Sequence, residues 1–141
     1  MLIRNLAILE ERFPGFGERI TQRFSPDSDA EQFTCQSGAP GLRLHGRYLC
    51  SRRDPAFEAE RIIRTRFEKG PDLAVFLHFG MGYELEAFRR LYPGIPMLVL
   101  EPDAPLFLRA LELRDMGDLL RAEEFNLLLD VPPAALGQVL N

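Results

Sequence analysis

What the chain lacks is the first guide to what it can be. It holds two cysteines in 141 residues, Cys35 and Cys50, too few for a disulfide framework or, by themselves, for a zinc site. Such sparing use of cysteine fits a reducing cytoplasm. No stretch approaches the ~20 apolar residues of a membrane-spanning helix, and no charged, apolar and small-residue leader opens the sequence, so no membrane partner is expected. Neither sign of charge is in large excess: 17 basic residues stand against 21 acidic ones, a formal net charge of −4. That balance argues against broad binding to a nucleic-acid backbone, which calls for a basic surface. A Gly-x-Ser-x-Gly elbow, a phosphate-binding Gly-Lys-Ser/Thr loop and a His-Glu-x-x-His pair are all missing. His45 and His78, taken with the two cysteines, have no short ligand spacing, and no metal site is expected.

What is present is enough for one globular domain. Hydrophobic residues make up 46% of the chain, and its length suffices for an independent core. Leu2, Leu6, Leu9 and Phe13 recur at helical spacing until Pro14-Gly15 interrupts them, and a second short helix is expected from Gly17 to Phe24. Residues 32–36, 42–45 and 48–51 then read as short strands separated by Gly38-Ala39-Pro40-Gly41 and Gly46, the pattern of a small antiparallel meander. The basic group Arg43, Arg47, Arg52 and Arg53, with Tyr48, falls here, either as a solvated hairpin face or as a contact for an anionic partner.

From Asp54 onward, helix and strand alternate. Asp54 is a good N-cap, with Pro55 at the first helical position and Glu58 near the positive helix end. Ala59, Ile62, Ile63 and Phe67 form that helix's apolar face. Strands are expected over Leu73–Phe79, Met97–Leu100 and Phe125–Leu129, with helices from Tyr83 to Leu91 and from Asp103 to Arg114. These strands lack polar alternation, which predicts a parallel sheet buried on both faces. The expected fold is therefore α/β: a Rossmann-like half, parallel β-α-β-α-β, preceded by N-terminal helices and a small antiparallel β meander. The division expected is a helical and β-meander subdomain over residues 1–53 and a Rossmann-like portion over residues 54–141. After Pro132-Pro133 only residues 134–141 remain, too few for another full α-β unit, which leaves truncation of that portion at its C-terminus open. The open edges of a three-stranded sheet call for protection by the meander, a partner chain or further sequence.

In such a sheet, chemistry belongs at the carboxyl ends of the strands. Gly80 and Gly82 stand there, where glycine permits a tight strand-to-helix turn and close approach of a ligand to the main chain. Tyr83 opens the following helix, whose first N–H groups are unpaired. Glu101 ends the next strand, where a carboxylate can accept ribose hydroxyls. Gly80, Gly82, Tyr83 and Glu101 thus outline a nucleotide-sized cofactor site, and S-adenosylmethionine or a nucleotide is a candidate ligand. A purely structural reading stays open. The third glycine of the longer fingerprint is replaced by Leu85, and Glu101-Pro102-Asp103 also serves as a helix entry, with Asp103 as N-cap.

Several segments in order carry a resemblance. Ser37-Gly38-Ala39-Pro40, then Leu49-Cys50-Ser51-Arg52-Arg53-Asp54-Pro55-Ala56-Phe57-Glu58-Ala59, then Gly80-Met81-Gly82-Tyr83 and Val99-Leu100-Glu101-Pro102-Asp103 resemble the N-terminal domain of the motility associated factor (Maf) glycosyltransferases, over roughly residues 32–113. Cys50 stands where that family usually has histidine, Arg53 where an aromatic is common, and His78 where glycine is often seen. The resemblance implies a role in glycosylating flagellin with nonulosonic acids, with transfer performed by a domain that follows this region. It therefore implies an accessory domain without catalytic residues of its own, whose partners would be flagellin, the downstream transferase domain or a second copy of the chain. A small S-adenosylmethionine-dependent methyltransferase-like or nucleotide-binding protein and a plain protein-interaction module are the alternatives.

Overall fold

The computed structural model describes residues 1–130; the expectation about the chain after Pro132 lies outside the described residues. Two helices come first, α1 (Leu2–Arg12) and α2 (Phe16–Arg23), parted at Pro14-Gly15 as the spacing predicts. Strands β1 (Glu31–Thr34), β2 (Pro40–Leu44) and β3 (Arg47–Tyr48) make the antiparallel meander in the order β1-β2-β3. The last strand is shorter than expected because the chain leaves the ladder after Leu49. Gln36 N–H and Ser37 N–H instead donate to the carbonyls of Arg52 and Arg53, at 2.9 and 2.8 Å.

The second part reads α3 (Pro55–Arg66), β4 (Ala74–Phe76), α4 (Tyr83–Leu91), β5 (Met97–Glu101), α5 (Ala104–Leu113), α6 (Gly117–Arg121) and β6 (Phe125–Leu129). The two helix entries marked in the sequence are made as expected. The Asp54 carboxyl accepts from Phe57 N–H at 3.1 Å, and the Asp103 carboxyl from Leu106 N–H at 3.0 Å. Helix α6 carries no sequence signal of its own, since its five residues are too few to show a period. Strand β4 covers three residues rather than Leu73–Phe79, because the chain turns away from the ladder after Phe76. No helix among the described residues is long and apolar enough to cross a membrane.

Strands β4, β5 and β6 pair in parallel in that order, with Val75 opposite Leu98 and Leu98 opposite Asn126. This is the Rossmann-like half. Its expected burial on both faces is not observed. Ala74, Phe76, Val99, Phe125 and Leu127 are buried in the core, whereas Leu73, Val75, Leu77 and Leu128 are exposed. The cause is topological: two right-handed crossovers moving the same way across a sheet lay their helices on the same face. The meander forms a separate sheet and pairs with neither edge of the parallel one.

One apolar cluster draws on both parts of the chain, from Leu9, Ile20 and Leu42 to Phe88, Phe107 and Phe125. Ring contacts organise it, with Phe79 edge-on to Phe107 at 4.8 Å and Phe76 edge-on to Phe88 at 5.6 Å. Helix α1 is fastened to it by polar groups that its apolar period gives no hint of. The fully buried Asn5 amide donates to the Leu111 and Arg114 carbonyls at 2.9 and 2.7 Å, and its oxygen accepts from Met116 N–H at 3.2 Å. It thereby satisfies backbone groups left over where α5 ends and α6 begins. Arg12 does the same one helix later, donating to the Ala122 and Phe125 carbonyls at 2.6 and 2.7 Å.

Asn5→Ala is expected to lose about 2–3 kcal/mol of stability, because buried carbonyls and an N–H lose their partners together. Arg4→Ala breaks an exposed ion pair with Asp115 and should stay within about 0.5 kcal/mol. Urea denaturation of the two variants beside the parent checks both outcomes.

Candidate functional site

The four residues singled out in the sequence converge at the carboxyl ends of the parallel strands, and all four line one cavity there. After β4 the chain runs through Leu77-His78-Phe79 into a turn closed by Gly82 N–H donating to the Phe79 carbonyl at 3.1 Å. Gly80 and Gly82 both have positive φ, 60° and 84°. A side chain at Gly80 would point into open space. One at Gly82 would stand 2.8 Å from the Met116 sulfur, inside the core. Both glycines line the cavity, and Gly82 also backs onto the core.

Glu101 is the buried acid of this region, with a side chain 2% exposed. One carboxyl oxygen accepts from Phe79 N–H at 3.0 Å; the other accepts from Asp103 N–H at 3.1 Å and lies 3.4 Å from His78 Nδ1. Each oxygen thus accepts one backbone N–H from the two turns beside it and keeps a further lone pair. Turning Phe79 toward Glu101 is also what ends β4 early. Tyr83 has a third role. Its hydroxyl donates to the Pro40 carbonyl at 2.6 Å, tying α4 to the meander.

Arg114, which no sequence pattern marked, holds these pieces together. Its guanidinium donates to the Met81 carbonyl at 2.6 Å, pairs with Glu86 and lies 3.8 Å above the Tyr83 ring. The signal available in the sequence was a lone basic residue following α5, which is commonplace. Burial pushes the Tyr83 hydroxyl up to about 12 although Arg114 opposes the shift. Burial first, and then the neighbouring Cys35, push the Cys50 thiol up to about 12 as well. Cys50 thus behaves as a small packed side chain, partly buried against the core.

Between the meander and the parallel strands lies a cavity of about 710 Å³, within the range of small-molecule pockets. His45, Arg47 and Tyr48 line it on the meander side, and His78, Gly80, Gly82, Tyr83 and Glu101 on the other. Its charges are mixed. The Tyr48 ring, packed edge-on to Phe33 at 5.2 Å, lies beneath the guanidinium groups of Arg43 and Arg52. Arg43 also pairs with Glu31, while Arg47 and Arg53 are exposed. Among the described residues, no three His, Cys, Asp or Glu side chains gather as a metal-binding set.

The class of architecture is now defined: a mixed α/β domain in which a parallel three-stranded half-Rossmann sheet carries a small antiparallel meander over its carboxyl end. Comparison with known proteins gives that class a particular counterpart. The fold superposes on the Maf glycosyltransferase from Magnetospirillum magneticum AMB-1 with a TM-score of 0.69 and 17% identity, over 99% of this chain and 28% of that one. In sequence, the chain is 31% identical, over 137 aligned residues, to an uncharacterized protein of Treponema pallidum (strain Nichols). That match covers 89% of this chain and 46% of the relative, so the chain spans less than half the length of the protein it matches. No protein-family model matches the sequence.

Gly82→Ala is expected to cost about 1–3 kcal/mol, through backbone strain together with the contact on Met116. Gly80→Ala should cost less, since it meets no neighbour; thermal unfolding of the pair measures the difference. Alkaline titration tests the buried hydroxyl and thiol. Both groups release a proton more readily when unfolded, so the stability they contribute is complete below their ordinary pKa values of 9.0 and 10.0 and is lost as pH rises through about 12. The urea midpoint should therefore fall above pH 9, and Tyr83→Phe should flatten the part of the decline that begins near pH 10.

Proposed function

We propose that this chain is the accessory N-terminal domain of a Maf-type glycosyltransferase that modifies flagellin with nonulosonic acids. The observation that carries the proposal is the superposition on a Maf glycosyltransferase at a TM-score of 0.69 over 99% of this chain, which accounts for 28% of that larger protein. The ordered motifs from Ser37 to Asp103 support the same reading. So does the state of the site. Glu101 accepts two backbone N–H groups and the Tyr83 hydroxyl donates to a backbone carbonyl, so both hold the fold of the cavity wall. In this reading the domain positions a partner, flagellin or the transferase domain, and takes no part in the transfer itself.

A pull-down of flagellin by residues 1–141, paired with glycosyl transfer by the natural protein and by residues 1–141 alone, tests the proposal. Capture of flagellin without transfer by the 141-residue chain is the expected result. Robust transfer by residues 1–141 alone would sink the accessory role.

A nucleotide or S-adenosylmethionine site is the second reading, and one observation favours it: Gly80 opens on a cavity of about 710 Å³. Calorimetry with each ligand decides it, and neither heat nor a thermal shift at millimolar ligand removes it.

A further inference from the structure

Three helices begin on the wall of the cavity. Pro55 and Glu58 stand in the first turn of α3, Tyr83 and Glu84 in that of α4, and Leu106 in that of α5, and all of them line it. Helix N-termini gathered in this way ordinarily attract phosphate, through unpaired N–H groups and a partial positive charge. Here the chain supplies the negative groups itself. The Asp54 carboxyl caps α3, and Glu58 follows in its first turn. Glu84 and Glu86 stand in the first turn of α4. At α5 the Asp103 carboxyl accepts from Leu106 N–H, and the Glu101 carboxyl accepts from Asp103 N–H.

The charged side chains of the cavity are also sorted by depth. Glu101 is buried, and Glu58 and Glu84 are half-buried. The basic residues Arg47, His45 and His78 are all exposed. Glu84 is answered by Arg66 at 3.7 Å. Glu58 has no ion-pair partner among the described residues, and Glu101 has only His78. Water and salt screen the exposed groups strongly and the buried acids much less, so the acids set the field inside the cavity. Between them the wall is apolar, with Leu49, Ala59 and Ile62. Such a wall offers acceptors and negative charge to a ligand, and few donors.

We propose that this cavity takes an unphosphorylated nucleoside that carries a positive charge, of the sulfonium or amine class, and turns nucleotides away. The proposal rests on the nucleotide or S-adenosylmethionine reading of the cavity and chooses between its two ligands. A ribose hydroxyl donates to Glu101, which keeps acceptor capacity beyond its backbone bonds, the base lies on the apolar wall, and the positive group is held by the field of Glu58. A phosphate in the same space meets an acid at each helix end where it would otherwise find free N–H groups.

Isothermal calorimetry on the natural protein, intact, with S-adenosylmethionine, adenosine, AMP and ATP tests the proposal. S-adenosylmethionine should bind tightest and adenosine next, with AMP and ATP each at least about 10-fold weaker than S-adenosylmethionine at low salt. Glu58→Gln keeps the size of the side chain and removes its charge. It should narrow that ratio by about 3-fold or more and leave adenosine binding unchanged. AMP or ATP binding as tightly as S-adenosylmethionine overturns the proposal. So does S-adenosylmethionine binding no tighter than adenosine, or a ratio that Glu58→Gln leaves as it was. In each of these cases the nucleoside reading stands. If none of the four ligands binds, that reading fails and the proposal with it, so the two failures are told apart.

Discussion

The carboxyl group of Glu101 ties together the ends that the rest of the domain is built around. Its two oxygens accept from Phe79 N–H, in the turn after β4, and from Asp103 N–H, at the entry to α5. Its own main-chain carbonyl accepts from Asp130 N–H, just after β6, at 2.7 Å. One residue thus reaches the carboxyl ends of all three parallel strands. Buried N–H groups left without acceptors are costly, so a buried acid here is an economical way to let two tight turns lie under the surface. The turn from Phe79 to Gly82, the start of α4 and the floor of the cavity all follow from where that carboxyl group sits.

A second layer of polar fastening surrounds this centre. Arg114 reaches the Met81 carbonyl and the Tyr83 ring, and Tyr83 reaches Pro40, so the meander is joined to the strand ends through a short relay. Asn5 and Arg12 fasten α1 to the far side by capping backbone that α5, α6 and the approach to β6 leave unsatisfied. The apolar cluster supplies most of the driving force for packing these layers. The polar relay sets their register, because each bond requires one particular carbonyl.

This division bears on function. The residues Gly80, Gly82, Tyr83 and Glu101 line one cavity in space, and the last three also carry contacts that hold the fold. The cavity beside Gly80 owes its other wall to His45, Arg47 and Tyr48 of the meander, more than thirty positions away.

Apart from α6, the order of helices and strands, the meander and the caps at Asp54 and Asp103 were legible in the sequence because they rest on local rules: apolar period, glycine and proline punctuation, and a side chain meeting its own helix end. Helix α4 falls at Tyr83–Leu91, as its apolar spacing predicts. Three things were decided only by tertiary structure. Which face of the sheet is covered depends on the hand and direction of two crossovers, and neither is written in the composition of Leu73, Val75 or Leu128. The roles of Asn5, Arg12 and Arg114 depend on carbonyls brought near from distant parts of the chain, for which no spacing exists to be read. And whether an acid at a strand end meets backbone N–H groups depends on where the neighbouring turns lie, which the fold sets for Glu101 at Phe79 and Asp103.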